Sequence, residues 1–382
     1  MIQLGHAIRD EFLLDHGFVT VNHGSFGATP KAVLAAQDAW RRQMETQPTR
    51  FMRAELPAAL RHAAGALAAF LGAAPEDLAF VSNATEGCNA VLRSLRLQPD
   101  DEILVLDHVY GAVRNTVRFV CERAGTRLVE VPMPFPRLDS DTLLASLTAA
   151  FTPRTRIAVI DHITSVSAMV LPLPEIIATC HAAGIPILVD GAHGPGQVDI
   201  DLTTLNADYY VGNCHKWLMA AKGCGFIWAR RDRQADLHPA VISHGYQNGF
   251  LAEFDWTGTW DPSAFLSVTA ALEFHARLGG AALRARNANL AAQAAALLAG
   301  RLGTETASGN AVAGAMALVR LPAAGDQAPA LRDALLIAGA DAPVQSIADA
   351  AWLRLSAHAY NEIQDYEALA DRVTQVLGSA SF

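Results

Sequence analysis

A chain of 382 residues, 51% of them hydrophobic, is long enough to bury more than one core, and its formal net charge of −9 argues against the basic face that nucleic-acid binding requires. Five widely spaced cysteines, at 88, 121, 180, 214 and 224, have neither an even count nor zinc-finger spacing, so free thiols in a reducing cytoplasm are expected rather than a disulfide framework or a metal site. The opening residues lack a basic head followed by an apolar stretch, and the Ala/Leu-rich run from Leu290 to Leu302 is shorter than the roughly 18 apolar residues that span a bilayer, so neither a secretory signal nor a membrane segment is expected.

From about residue 60 to 230, short apolar runs alternate with helical stretches. Leu78-Ala79-Phe80-Val81, Ile103-Leu104-Val105-Leu106, Ile157-Ala158-Val159-Ile160, Ile187-Leu188-Val189 and Phe226-Ile227-Trp228 do not alternate in polarity. That is the signature of strands buried on both faces, and it predicts an α/β unit with a mostly parallel sheet. A helix over 175–183 closes on Gly184. Beyond about residue 262 the pattern changes. A helical stretch over 263–302, a strand over 315–321, a helix over 328–338, a strand over 352–356 and a last helix over 362–377 predict a smaller α+β unit, with the N-terminal residues against it.

Ligands of open α/β sheets bind beyond the carboxyl ends of the strands, so each strand exit is a candidate site. After Val81, Ser82-Asn83-Ala84-Thr85-Glu86-Gly87 opens a helix. Its free N–H groups and the Thr85 hydroxyl suit a phosphate, although a plain N-cap explains the same residues. After Leu106, Asp107-His108-Val109-Tyr110 offers rings that can stack on a planar group or simply fill a loop. After Ile160, Asp161-His162-Ile163-Thr164-Ser165 offers hydroxyls that serve equally as caps. After Val189, Asp190-Gly191-Ala192-His193 ends an apolar run on a carboxylate, which needs a partner there; a protonated pyridine nitrogen is one. Asn213-Cys214-His215-Lys216-Trp217-Leu218 then places one of only three lysines between a His and a Trp. A desolvated lysine loses basicity and forms imines, whereas most lysines merely snorkel. Lys222, in a Gly-rich turn, is the rival.

In order along the chain, Asn83-Ala84-Thr85-Glu86, Asp190-Gly191-Ala192-His193, Cys214-His215-Lys216-Trp217 and Arg354-Leu355-Ser356 resemble the motifs of the class V aminotransferase family of pyridoxal-5′-phosphate (PLP) enzymes. The resemblance covers roughly residues 17–370. Val21-Asn22-His23-Gly24-Ser25-Phe26-Gly27, Trp256-Thr257-Gly258-Thr259-Trp260-Asp261-Pro262 and Ser356-Ala357-His358-Ala359-Tyr360-Asn361 look most like the branch holding isopenicillin N epimerases and cysteine-conjugate C–S lyases.

The resemblance implies PLP-dependent transferase fold type I: a large PLP-binding domain over 17–262, with a seven-stranded, mostly parallel sheet between helices, and a smaller α+β domain from 1–16 and 263–382. It implies that Lys216 holds PLP as an imine and then moves the Cα proton, and that Asp190 pairs with the pyridinium nitrogen. Tyr110 would stack on the ring, with His108 as the fallback, and His193 and Ser165 would face the phenolic oxygen. Ala84, Thr85, Asn213 and His215 would hold the phosphate, and Thr259 would reach the phosphate of a neighbouring subunit in a homodimer. Arg354 would clamp the carboxylate of an amino-acid substrate, with Asn22 and His23 lining its side. Epimerisation is the leading expected outcome, with C–S lysis and transamination as alternatives; it needs a proton donor on the second face, which the motifs do not name. The stretch Gly339–Ser346 has no cysteine where desulfurases carry their nucleophile, so sulfur transfer by that route is not expected. No DNA-binding region is recognisable, and no Gly-x-Gly-x-x-Gly or Walker loop follows a strand, which disfavours a PLP-binding regulator and a nucleotide-binding enzyme.

Overall fold

A computed structural model describes residues 3–309 and 314–379. Seven strands form the main sheet, in the spatial order Leu78–Val81, Gly225–Ala229, Tyr209–Asn213, Ile187–Gly191, Thr155–Asp161, Glu102–Leu106, Arg127–Val131. All neighbours are parallel except Gly225–Ala229, which runs against both of its partners. The apolar runs are strands because nearly every residue in them is buried, with one side chain set on each face. Leu104, Ala158, Ile160 and Val189 pack on one face, against Leu56, Leu60, Leu67 and Ile176. Ile103, Val105, Val159, Leu188 and Val211 pack on the other, against Cys88, Val91, Val113 and Val117. The expected seven-stranded, helix-covered α/β architecture is present.

Two strands of this sheet do not show as apolar runs. Arg127–Val131 lies at the edge and leaves Arg127 and Glu130 exposed, so its sequence reads as polar. Tyr209–Asn213 breaks its run with Gly212.

The second sheet has three antiparallel strands, in the order Met316–Ala324, Ala350–Ser356, Val344–Ile347. It packs on the helices Ala281–Leu302, Ala328–Ile337 and Ile363–Ser379. The predicted continuous helix over 263–302 is instead three helices, Ser263–Leu266, Val268–Arg277 and Ala281–Leu302. Gly279 and Gly280 take φ of 103° and 51°, conformations that end a helix and that glycine adopts at little steric cost. Ala264, Phe265, Leu266, Val268 and Ala271 join the core of the main sheet, past residue 262 where the composition changes. Val19 and Val21 pack in the core of the small sheet, although the sequence reading assigns them to the large unit.

The N-terminal segment ties these parts together. Val19–Thr20 pairs in parallel with Ala340–Asp341. The Val21 carbonyl accepts from the Ser356 N–H at 2.7 Å, and Gly5 N–H donates to the Ala359 carbonyl at 2.7 Å. Residues 22–27 thereby sit between the end of the strand Ala350–Ser356 and the loop that follows Asn213.

Candidate active site

The exits of Leu78–Val81, Glu102–Leu106, Thr155–Asp161, Ile187–Gly191 and Tyr209–Asn213 lie along one edge of the main sheet, and the residues singled out in the sequence meet there. The helix Ala84–Ser94 starts at this edge. Asn83 caps it, its Oδ1 accepting from the Glu86 N–H at 2.9 Å. Asn213 Oδ1 accepts from the Ala84 N–H at 2.9 Å. Asn213 therefore fixes the start of the helix, a more indirect task than the expected phosphate contact. The Thr85 N–H and hydroxyl, in the first turn, have no partner among the described residues, as an anion cradle requires.

Asp190, next to last in its strand, is 2% exposed, with Oδ1 accepting from the Ala192 N–H at 3.0 Å. Burial pushes its carboxyl above the ordinary range; the Ala192 bond and the Lys216 charge oppose that. Asp161 stands beside it in register on the next strand, 3% exposed, and its Oδ2 has no hydrogen-bond partner. Burial, then the neighbouring Asp190, pushes Asp161 well up. Two desolvated carboxyls side by side call for a cation or a shared proton.

Lys216 lies beyond the exit of Tyr209–Asn213. Desolvation, then the Arg354 charge, lowers its ammonium to about 8, against the pull of Asp190 and Asp161. Its Nζ is 3.2 Å from His193 Nε2. His193 is 1% exposed, and desolvation with the Lys216 and Arg354 charges holds its ring neutral. The rival lysine is committed elsewhere: Lys222 Nζ donates to the Gly27 carbonyl at 2.8 Å and to Thr29 Oγ1 at 3.1 Å. Gly27 has φ of 72°, and a Cβ there would sit 2.0 Å from the His215 carbonyl, so only glycine lets the two backbones approach this closely. The His215 ring bonds the Cys224 carbonyl through Nδ1 at 3.0 Å, leaving Nε2 for another partner.

Arg354, in the strand Ala350–Ser356, is 3% exposed and, among the described residues, has no carboxylate at hydrogen-bond distance. One guanidinium nitrogen donates to the Ser165 carbonyl and lies 3.3 Å from its hydroxyl. The other donates to Ser25 Oγ at 2.8 Å and to Asn22 Oδ1 at 3.3 Å. Its Nε has no partner, and desolvation lowers the guanidinium to about 10. A buried cation held by neutral acceptors is incomplete without an anion.

Several expected placements differ. His23 does not line the substrate side: its ring is 2% exposed, with Nδ1 2.9 Å from the Tyr360 hydroxyl and Nε2 3.0 Å from the Lys216 carbonyl. It stands behind Lys216, stacked on His358 at 3.7 Å. Ser165 is bonded to Arg354 rather than set toward a phenolic oxygen. Of the two rings at the Leu106 exit, His108 is the fixed one, 9% exposed with Nδ1 2.8 Å from Ser167 Oγ. Tyr110 is 42% exposed, and its hydroxyl is close enough to Arg354 to influence that charge. His108 is thus the better-placed stacking ring and Tyr110 faces the Arg354 side. Thr259 lies exposed on the 255–262 segment. Asp161, Ser25 and Trp217 join the site although the sequence, which shows them inside the motif stretches, gives none of them a role of its own. Strand register brings in Asp161, chain return brings in Ser25, and Trp217 enters beside Lys216 through its bond to His193.

The residues fit PLP. The Thr85 donors suit its phosphate, the Asp161–Asp190 pair a protonated ring nitrogen, and the low-basicity Lys216 its aldehyde.

A sequence model of the class V aminotransferase family matches residues 27–369, and the chain belongs to that family, whose cofactor is PLP. Among its relatives are a putative L-cysteine desulfhydrase of Oryza sativa subsp. japonica, 32% identical over 97% of this chain and 86% of the relative, and the isopenicillin N epimerase of Streptomyces clavuligerus, 32% identical over 97% of this chain and 98% of the relative. A solved structure of C-DES with glycine covalently linked to its PLP cofactor has the same fold, with TM-score 0.80 and 22% identity over 96% of this chain and 98% of that one. Among the described residues no helix is long and apolar enough to cross a membrane.

Proposed function

We propose that this PLP enzyme removes the α-proton of an amino acid and cleaves a Cβ–S bond, as a lyase acting on cysteine or a cysteine conjugate. The observation that carries this reading is a single working amine, Lys216, set beside His193 and across from the carboxylate-seeking Arg354. Elimination needs a base on one face of the substrate only: the group that takes the Cα proton can return it to the departing sulfur. PLP bound here supplies the electron sink. Asp190 supports it from the ring nitrogen, His108 is the stacking ring, Thr85 and the start of Ala84–Ser94 hold the phosphate with help from His215, and Arg354 fixes the substrate carboxylate.

The cysteines support lysis over sulfur transfer. All five are buried, and desolvation raises the thiols of Cys88, Cys121, Cys180 and Cys224, the reverse of what a nucleophilic thiolate needs. The desulfhydrase relative supports the same direction.

A second reading, epimerisation, is favoured by the epimerase relative and by Tyr110, whose half-exposed phenol faces Arg354 and is a candidate donor on the other side of the substrate. The two are separated by incubating the holoenzyme with L-cysteine, L-cystine and S-substituted cysteines in D₂O. Pyruvate with released thiol or sulfide supports the lyase. Inversion with α-deuteration and no pyruvate overturns it in favour of epimerisation, and Tyr110→Phe then tests the second donor. We also propose that the enzyme works as a homodimer in which Thr259 serves the partner's phosphate site; a monomer of full activity in light scattering contradicts this.

A further inference from the structure

Lys216 and Trp217 are consecutive in the chain, and both address the same imidazole. Trp217 Nε1 donates to His193 Nδ1 at 3.3 Å. On the other side of the ring, His193 Nε2 is 3.2 Å from Lys216 Nζ. An indole N–H only donates, so Nδ1 must be the accepting nitrogen. A neutral imidazole has one proton, and here it resides on Nε2. Nε2–H therefore points at the amine. An ammonium has three donors and no lone pair, so it meets that N–H unfavourably, whereas a neutral amine accepts from it. We propose that Trp217 is a positioning residue: its indole N–H locks His193 as the Nε2–H tautomer, so that a hydrogen-bond donor always faces the reacting end of Lys216.

The lock is built to hold. Trp217 is 1% exposed and packed among Ile163, Met316 and Leu318. His193 is 1% exposed, so no water competes for Nδ1. The charged groups acting on the pair are Arg354, from the strand Ala350–Ser356, and Asp190 and Asp161, from the main sheet. Among the described residues none of these three bonds either ring nitrogen, so the tautomer depends on Trp217. The same Nε2–H is then available to an oxygen of the cofactor once Lys216 is joined to it; that extension rests on the PLP reading above, while the tautomer itself does not.

The test uses the cofactor-free full chain labelled with ¹⁵N-histidine, the His193 signals being assigned by their loss in His193→Gln. The wild type is expected to show a protonated Nε2 and a bare Nδ1, and Trp217→Phe to gain the Nδ1–H form. A wild-type Nδ1–H signal, or a variant spectrum identical to wild type, overturns the proposal whatever reaction the holoenzyme performs. A second readout is the pH dependence of Lys216 labelling by an amine-reactive reagent. With Nε2 free to accept, the Lys216 pKa rises in Trp217→Phe, and each unit of rise removes about tenfold of the reactive amine at neutral pH. In a His193→Gln background the same substitution is expected to leave Lys216 unmoved. An equal shift in both backgrounds assigns the effect to packing and overturns the lock. Should Trp217→Phe fail to fold, 3-benzothienylalanine at position 217 retains the ring shape without the N–H and puts the same question.

Discussion

Asp161 and Asp190 face each other in register at the carboxyl ends of adjacent parallel strands, so two buried carboxyls stand side by side at the exit where a cationic ring nitrogen is expected. Asp161 is pushed well up and its Oδ2 has no partner, so in the cofactor-free protein it retains a proton that the unfolded chain has already lost. The native state then binds more protons than the unfolded state, and Asp161 erodes stability as pH rises above the ordinary carboxylate range. Asp161→Asn mimics the protonated form. Thermal melts of the cofactor-free variant should match wild type at low pH and exceed it at pH 8–9; a variant less stable than wild type at high pH contradicts the assignment. Asp190→Asn should instead destroy activity, since it removes the partner of the ring nitrogen.

Lys216 titrates in the opposite sense. Its folded value, about 8, lies below the ordinary 10.5, so the native protein sheds this proton first and Lys216 contributes stability that grows as pH rises from about 8 toward 10.5. The neutral amine is also the form that condenses with an aldehyde. Capture of PLP by the cofactor-free protein, followed by absorbance, should accelerate with a midpoint near pH 8. A midpoint near 10.5 contradicts the desolvated site.

Borohydride should fix the cofactor on Lys216 and leave Lys222 unmodified, as peptide mass mapping can show. Lys216→Ala should reduce turnover by roughly 10³-fold or more, because proton transfer at Cα loses its base. Lys222→Ala should act on stability instead, since Lys222 bonds Gly27 and Thr29.

Arg354→Ala removes a buried guanidinium that bonds no carboxylate among the described residues. Each lost charge-assisted bond is worth about 1.5–3 kcal/mol, so KM for amino-acid substrates should rise on the order of 10²-fold. Arg354→Lys should recover little, because a point charge cannot reach Ser25 and Ser165 together. Unchanged KM in both variants contradicts the clamp.

Gly27→Ala should damage the site from a distance. At φ 72° with the His215 carbonyl 2.0 Å from the new Cβ, the backbone around Lys216 must shift. Looser PLP binding in equilibrium dialysis, with the far-ultraviolet circular dichroism retained, is the expected result.

Much of this site is legible in the chain because strand exits mark themselves. Val81, Leu106 and Val189 each end an apolar run on a polar turn, so Thr85, His108 and Asp190 can be proposed without coordinates, while Lys216 stands out as one of only three lysines, set beside a tryptophan. What escapes is set by partners far away in sequence. Ser165 is a turn hydroxyl until Arg354 arrives, 189 positions later, to bond it. His23 is polar beside Asn22 and Ser25, yet its ring is consumed by Tyr360 and the Lys216 carbonyl. Asp161 reads as one more polar residue after Ile160, and only register with Asp190 makes it exceptional. The strand Arg127–Val131 is hidden because an edge position tolerates Arg127 and Glu130 in solvent.

The strap formed by residues 5–27 has a consequence for biosynthesis. Its anchors are Ala340, Ser356, Ala359 and Glu362, all made after every strand of the main sheet. The main sheet can assemble on the ribosome as its strands emerge, but Ser25 and His23 have no seat until the strand Ala350–Ser356 and the turn after it exist. The nascent protein is therefore incompetent while the main sheet is being made, and catalytic competence arrives in a later step, when residues 5–27 dock onto a strand made long after them.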